Sequence, residues 1–133
     1  MSLTVKIYSF SYIYGSIPDD ESGNGGGFVF DCRYIYNPGK MEEFWDMTGK
    51  DEEVIKYLDE RKDMQEFLSN VFKIIDRVVE NYIKRGFTDL MLSFGCTGGQ
   101  HRSVYAADKT AAYLREKFPE IEVITSHNEY PGL

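Results

Sequence analysis

Apolar and polar positions alternate from Thr4 to Phe10, with Val5, Ile7 and Ser9 on one side and Lys6, Tyr8 and Phe10 on the other. That period of two predicts a first strand. The next apolar run, Phe28 to Tyr36, is rich in aromatic and β-branched residues and predicts a second. Asn37-Pro38-Gly39 ends it with turn chemistry. Met41 to Trp45 reads as a short helical turn, and Asp51 as the cap of a short helix through Val54, Ile55 and Leu58. From Asp63 the period changes. Phe67, Leu68, Val71, Ile75, Val78, Val79 and Tyr82 recur at three and four, which predicts a long amphipathic helix over 63–85. Lys84 and Arg85 followed by Gly86 give its stop. Leu90 to Phe94 is a third strand and Ser103 to Phe118 an alanine-rich helix closed by Pro119. Ile121 to Thr125 is a last strand, followed by a tail in which His127 is expected at the surface.

This alternation predicts a single α/β domain over 1–133. Its sheet would be mixed or mostly parallel, of about four strands, packed by two long helices. With 133 residues, 42% hydrophobic and 28% charged, the chain is long enough for one proper core. No apolar run reaches membrane-spanning length, and no basic segment with an apolar core opens the chain. Cys32 and Cys96 are therefore expected as free thiols in a reducing cytoplasm. A net charge of −7 argues against a broad nucleic-acid face but leaves room for a small anion pocket. The segment from Ser11 to Gly27, with its acidic and glycine-rich end Asp19 to Gly27, reads as a loop and a poor phosphate cradle.

The chemistry concentrates between the third strand and the alanine-rich helix. There Gly95-Cys96-Thr97-Gly98-Gly99-Gln100-His101-Arg102-Ser103 passes from strand to glycine turn to helix start. Glycines let backbone N–H groups converge, and a helix N-terminus adds about half a positive charge. Thr97 and Ser103 add hydroxyls and Arg102 a two-donor guanidinium, so a phosphate-bearing ligand is the first hypothesis. Asp31 and Arg33, two apart on one strand face, are equally a structural pair or ligand groups. The same loop fits the C-x-x-G-x-x-R-[ST] spacing of cysteine-dependent phosphatases. In that alternative Cys96 attacks phosphorus, Arg102 holds the equatorial oxygens and Asp31 protonates the leaving group.

Four motifs in one order carry a resemblance to the RapZ family. The Gly95–Val104 string is similar to the family's almost letter for letter. Ser9-Phe10-Ser11 through Pro18 resembles its S-F-G-x-x-x-G-x-P, Phe30 to Pro38 its F-D-x-R-x-x-x-N-P, and Met47 to Asp51 its x-T-G-x-D. The resemblance is to the C-terminal domain and spans about residues 4 to 127. The family's N-terminal P-loop domain has no counterpart here, since no G-x-x-x-x-G-K-[ST] occurs. The resemblance implies an α/β bacterial domain that senses glucosamine-6-phosphate and, in full-length members, binds small RNA and assists an RNase. It implies ligand contacts from Thr97, Gly98, Gly99, Gln100, His101, Arg102 and Ser103, with Asp31, Arg33 and Asn37 lining the pocket. No metal or cofactor is implied. The expected partners are a phosphorylated small molecule of hexosamine-phosphate type and an RNA or protein, with self-association left open. Two departures stand out: Ser11 occupies the last position of S-F-G, and Gly39-Lys40 follow Asn-Pro where the family often has His.

Overall fold

The computed structural model describes residues 2–133. Four strands form one sheet in the order β2-β3-β1-β4, every neighbouring pair parallel. They are β1 (Thr4–Ser11), β2 (Phe28–Asp31), β3 (Asp89–Cys96) and β4 (Glu122–His127). Three helices join them: α1 (Glu52–Asp59), α2 (Lys62–Arg85) and α3 (Arg102–Lys117). Two short 3₁₀ turns, Pro38–Lys40 and Glu42–Phe44, precede α1.

The sheet is parallel because both returns to it run through helices. The connections β2–α1–α2–β3 and β3–α3–β4 move the same way across the sheet, so right-handed crossovers put all three helices on one face. That face carries Val5, Ile7, Leu90, Leu92 and Phe94, which pack with Val54, Leu58, Phe67, Val71, Ile75, Ala107 and Leu114 in one core. Of the four alanines expected to allow close packing, Ala106, Ala107 and Ala111 are buried and let α3 sit close on β1, β3 and β4, whereas Ala112 is exposed. Gly86, in the left-handed region with φ 73°, ends α2 as its position predicts.

The structure corrects the sequence reading at several points. The second strand ends at Asp31, not Tyr36. Cys32 N still donates to Gly95 O at 2.8 Å, but Arg33 N turns to Asp31 Oδ1 and Ile35 N to Cys32 O, so the ladder stops. The carbonyls of Arg33 and Ile35 both accept from one terminal nitrogen of the buried Arg102, which brings them closer together than the roughly 6.6 Å between alternate carbonyls of an extended strand. The long helix begins at Lys62, with Arg61 as its cap. Asp63, the residue at which the sequence reading starts this helix, pairs with Arg61 and accepts from Tyr36 N at 3.1 Å. The last strand runs on to His127, which is buried rather than at the surface.

Candidate functional site

In a parallel sheet every strand delivers its carboxyl end to the same edge. Here that edge gathers Ser11 and Tyr12 after β1, Asp31 to Arg33 after β2, Thr97 to His101 after β3, and Asn128 to Tyr130 after β4. The chain leaves β1 one way, toward β2, and leaves β3 the other way, toward β4. The crevice between the ends of β1 and β3 is therefore the switch point at which open α/β sheets bind ligands.

The glycine turn lies in that crevice. Among the described residues, the amides of Gly98, Gly99, Gln100 and His101 donate to no protein acceptor. Those of Arg102, Ser103 and Val104 open α3, where the first N–H groups have no intrahelical partner. Seven consecutive donors thus crowd one strand-to-helix turn, with the positive end of α3 behind them. Gly99 needs to be glycine. Its φ is 65°, and a Cβ there would stand 3.0 Å from Ser11 N and 2.7 Å from Glu129 Cγ. Gly98 has open space where a Cβ would go.

The side chains of the turn face inward and hold it in shape. Gln100 Nε2 donates to the carbonyls of Trp45 and Met47 at 2.8 and 2.7 Å. His101 Nε2 donates to Phe44 O at 2.8 Å, and burial keeps its imidazole below its ordinary pKa of 6.5, so it is neutral near pH 7. Ser103 Oγ is fully buried and accepts from Cys96 Sγ at 3.1 Å. Arg102, only 3% exposed, donates from one terminal nitrogen to Arg33 O and Ile35 O at 2.9 and 2.7 Å. Its other terminal nitrogen lies 3.4 Å from Thr97 Oγ1, and its buried Nε has no protein partner.

Asp31 closes β2, and Arg33 and Asn37 follow it in the chain. Asp31 and Arg33 form a two-donor pair with a closest approach of 2.7 Å, both half-exposed. Arg33 hydrogen bonds hold the Asp31 carboxyl below its ordinary value against the cost of burial. The Arg33 guanidinium also stacks 3.8 Å over the Tyr12 ring. Asn37 Oδ1 accepts from Gly39 N and caps the following 3₁₀ turn.

Ser11 earns its departure from the glycine pattern. Its hydroxyl donates to Thr97 O at 2.6 Å and accepts from the amides of Ile13 and Tyr14, fastening the β1 loop to the turn. A chain of polar side chains, exposed at Lys50 and buried at Ser9 and His127, braces the other side. Lys50 pairs with Asp108 at 2.8 Å, Asp108 bonds His127 at 2.9 Å, and His127 Nδ1 meets Ser9 Oγ at 2.7 Å. Burial works against ionising Asp108, but hydrogen bonds from His127 and Lys50 outweigh it and lower its pKa. Gly49 N closes the brace on Gln100 O at 2.9 Å.

Sequence reasoning passed over the tail after β4. Glu129 Oε2 accepts from Ser11 N at 3.3 Å, and its side chain packs on Gly99 and Gly15. Burial, with Cys96 and Glu129 nearby, raises the pKa of the Tyr130 phenol. The signal was there: in a parallel sheet, whatever follows the last strand joins the same edge. A cleft of about 550 Å³ lies elsewhere, between the glycine-rich loop and the opposite ends of β1 and β3. It holds none of the motif residues.

Among the described residues, no helix is long and apolar enough to cross a membrane. Known proteins place the chain clearly. A nucleotide-binding protein of Fusobacterium nucleatum is 37% identical over 131 residues, 97% of this chain and 43% of the relative. One from Endomicrobium trichonymphae is 39% identical over 115 residues, 86% of this chain and 38% of the relative. One from Desulforudis audaxviator is 40% identical over 121 residues, 91% of this chain and 39% of the relative. The chain thus spans about two fifths of the length of these relatives. The sequence model of the RapZ C-terminal domain matches residues 3–131, so the chain belongs to the RapZ C-terminal domain family.

Proposed function

We propose that this domain binds a phosphorylated small molecule of the amino-sugar phosphate class at the strand-end edge and does not transform it. The observation that carries the proposal is the run of amides from Gly98 to Val104, unpaired with protein and set at the N-terminus of α3. The Thr97 hydroxyl and the remaining donors of Arg102 supply polar support beneath the phosphate. The relatives bear the name nucleotide-binding protein, so nucleotides are the competing phosphate esters.

The test is titration calorimetry with glucosamine 6-phosphate, glucose 6-phosphate and adenosine nucleotides, on the wild type and Gly98→Asp. A Cβ at Gly98 meets nothing within 4 Å, so the variant should fold. A carboxylate in the turn should cost about tenfold or more in phosphate-ester affinity through like-charge repulsion. Equal binding by the two proteins would place the ligand elsewhere.

The cysteine-phosphatase alternative needs a reachable thiolate and a free acid. Cys96 is 2% exposed and bonded to Ser103, and Asp31 is occupied by Arg33. A second reading, contact with single-stranded RNA, draws on exposed Tyr14, Tyr34, Tyr36 and Trp45 around the same edge. Aromatic faces are stacking platforms for unpaired bases. It is tested by fluorescence anisotropy with a labelled oligoribonucleotide, and no binding at low salt would dismiss it.

A further inference from the structure

The carboxylates around the turn are not equivalent. Asp31 is neutralised by Arg33, and Asp108 lies between Lys50 and His127. Asp51 spends an oxygen on Thr48 N at 2.7 Å. Glu129 pairs with no cation among the described residues; its single hydrogen bond is the long one from Ser11 N. It also lies against the glycine turn itself. Its Oε2 lies 2.6 Å from the position of a Cβ on Gly15, and its Cγ 2.7 Å from that of a Cβ on Gly99. Only glycines leave room for it there.

We infer that Glu129, not Asp31, recognises a cationic amine on the ligand, which makes the site selective for phosphate esters that also carry an ammonium group. The inference rests on the phosphate site proposed above. An unneutralised carboxylate beside an anion cradle repels a simple phosphate ester. It turns favourable when the ligand brings its own positive charge within a few ångströms of the phosphate. The amides and the dipole of α3 on one side, with Glu129 on the other, form a charge pair complementary to such a zwitterion. Asp31 cannot take this part without first giving up the Arg33 fork.

The test compares glucosamine 6-phosphate with glucose 6-phosphate by calorimetry on the wild type and Glu129→Gln. Glutamine keeps an oxygen for Ser11 N, so the fold is retained; equal melting temperatures check this. The wild type should prefer the amine by about tenfold, the scale of one close charge pair. Glu129→Gln should erase that preference, weakening the amino sugar and strengthening the neutral one. A preference that survives the substitution would overturn the role of Glu129 and leave the phosphate site standing. Equal tightening of both ligands would show that Glu129 only repels phosphate, and would also overturn it. If neither sugar phosphate binds the folded wild type, the phosphate site fails and the inference falls with it.

Discussion

Arg102 shows how one residue serves both fold and site. Its guanidinium gathers backbone carbonyls from the segment 32–35 while its remaining donors stay at the foot of the glycine turn. Replacing it with Met keeps the volume but strands those carbonyls without a donor. Arg102→Met should cost about 3 kcal/mol of stability, roughly 10 °C in Tm, along with phosphate affinity. Denaturant unfolding at fixed pH checks the first, and calorimetry below the variant's Tm the second. His101 gives a pH dependence. It is buried neutral, with its pKa lowered, while in the unfolded chain it titrates near 6.5. Between those two values the unfolded state binds more protons, so stability rises with pH there. Stability is expected to fall as pH drops from about 7 toward 5, and His101→Gln should flatten that part of the curve in urea titrations. The residue types of the site were legible in the sequence, because glycines, Arg and hydroxyls at a strand-to-helix join have few other uses. Which of their atoms are free was not legible. Gln100, His101 and Ser103 turn inward toward partners up to 57 positions away in the chain.

At the scale of elements, the strong periods were readable and the boundaries set by tertiary bonds were not. The 24-residue α2 announces itself through its apolar stripe and Gly86. β2 did not announce its end, because Phe28 to Tyr36 has strand composition throughout. Its course after Asp31 is fixed by Arg102 and Asp63, far along the chain. The loop before α1 is a similar case. Gly49 has no special φ and looks like ordinary turn punctuation, yet it lies flat against the first turn of α3. A Cβ there would collide with the His101 carbonyl and the Tyr105 amide. Those are backbone atoms at the start of a helix and cannot rotate aside. Gly49→Ala should therefore lose about 1–3 kcal/mol. Because it displaces the turn itself, sugar-phosphate affinity should fall with it. An alanine variant as stable as the wild type by thermal unfolding would mean that the 48–51 loop moves away freely and does not brace the site.

For the whole molecule, the deciding quantities are the sheet's direction and the net charge. An all-parallel sheet collects four strand ends at one edge, which brought the overlooked tail residue Glu129 to the turn predicted from β3. The charge of −7 then separates the two kinds of partner that this edge could receive. A small phosphate ester is held by amides and a helix end at short range, where bulk salt screens little. A strand of RNA is held mainly by releasing counterions as Lys and Arg neutralise phosphates, with a slope of about −0.7 per phosphate for single strands. Raising salt fourfold, from about 50 to about 200 mM, would weaken a contact to three phosphates roughly 20-fold on that slope. Glucosamine 6-phosphate affinity should change by about twofold or less over the same range, measured in potassium fluoride so that neither chloride nor an amino-acid anion competes for the turn. A steep loss for the sugar phosphate would mean that mobile surface cations, not the fixed amides, hold it. The strand-end turn would then be the wrong place to look for the phosphate.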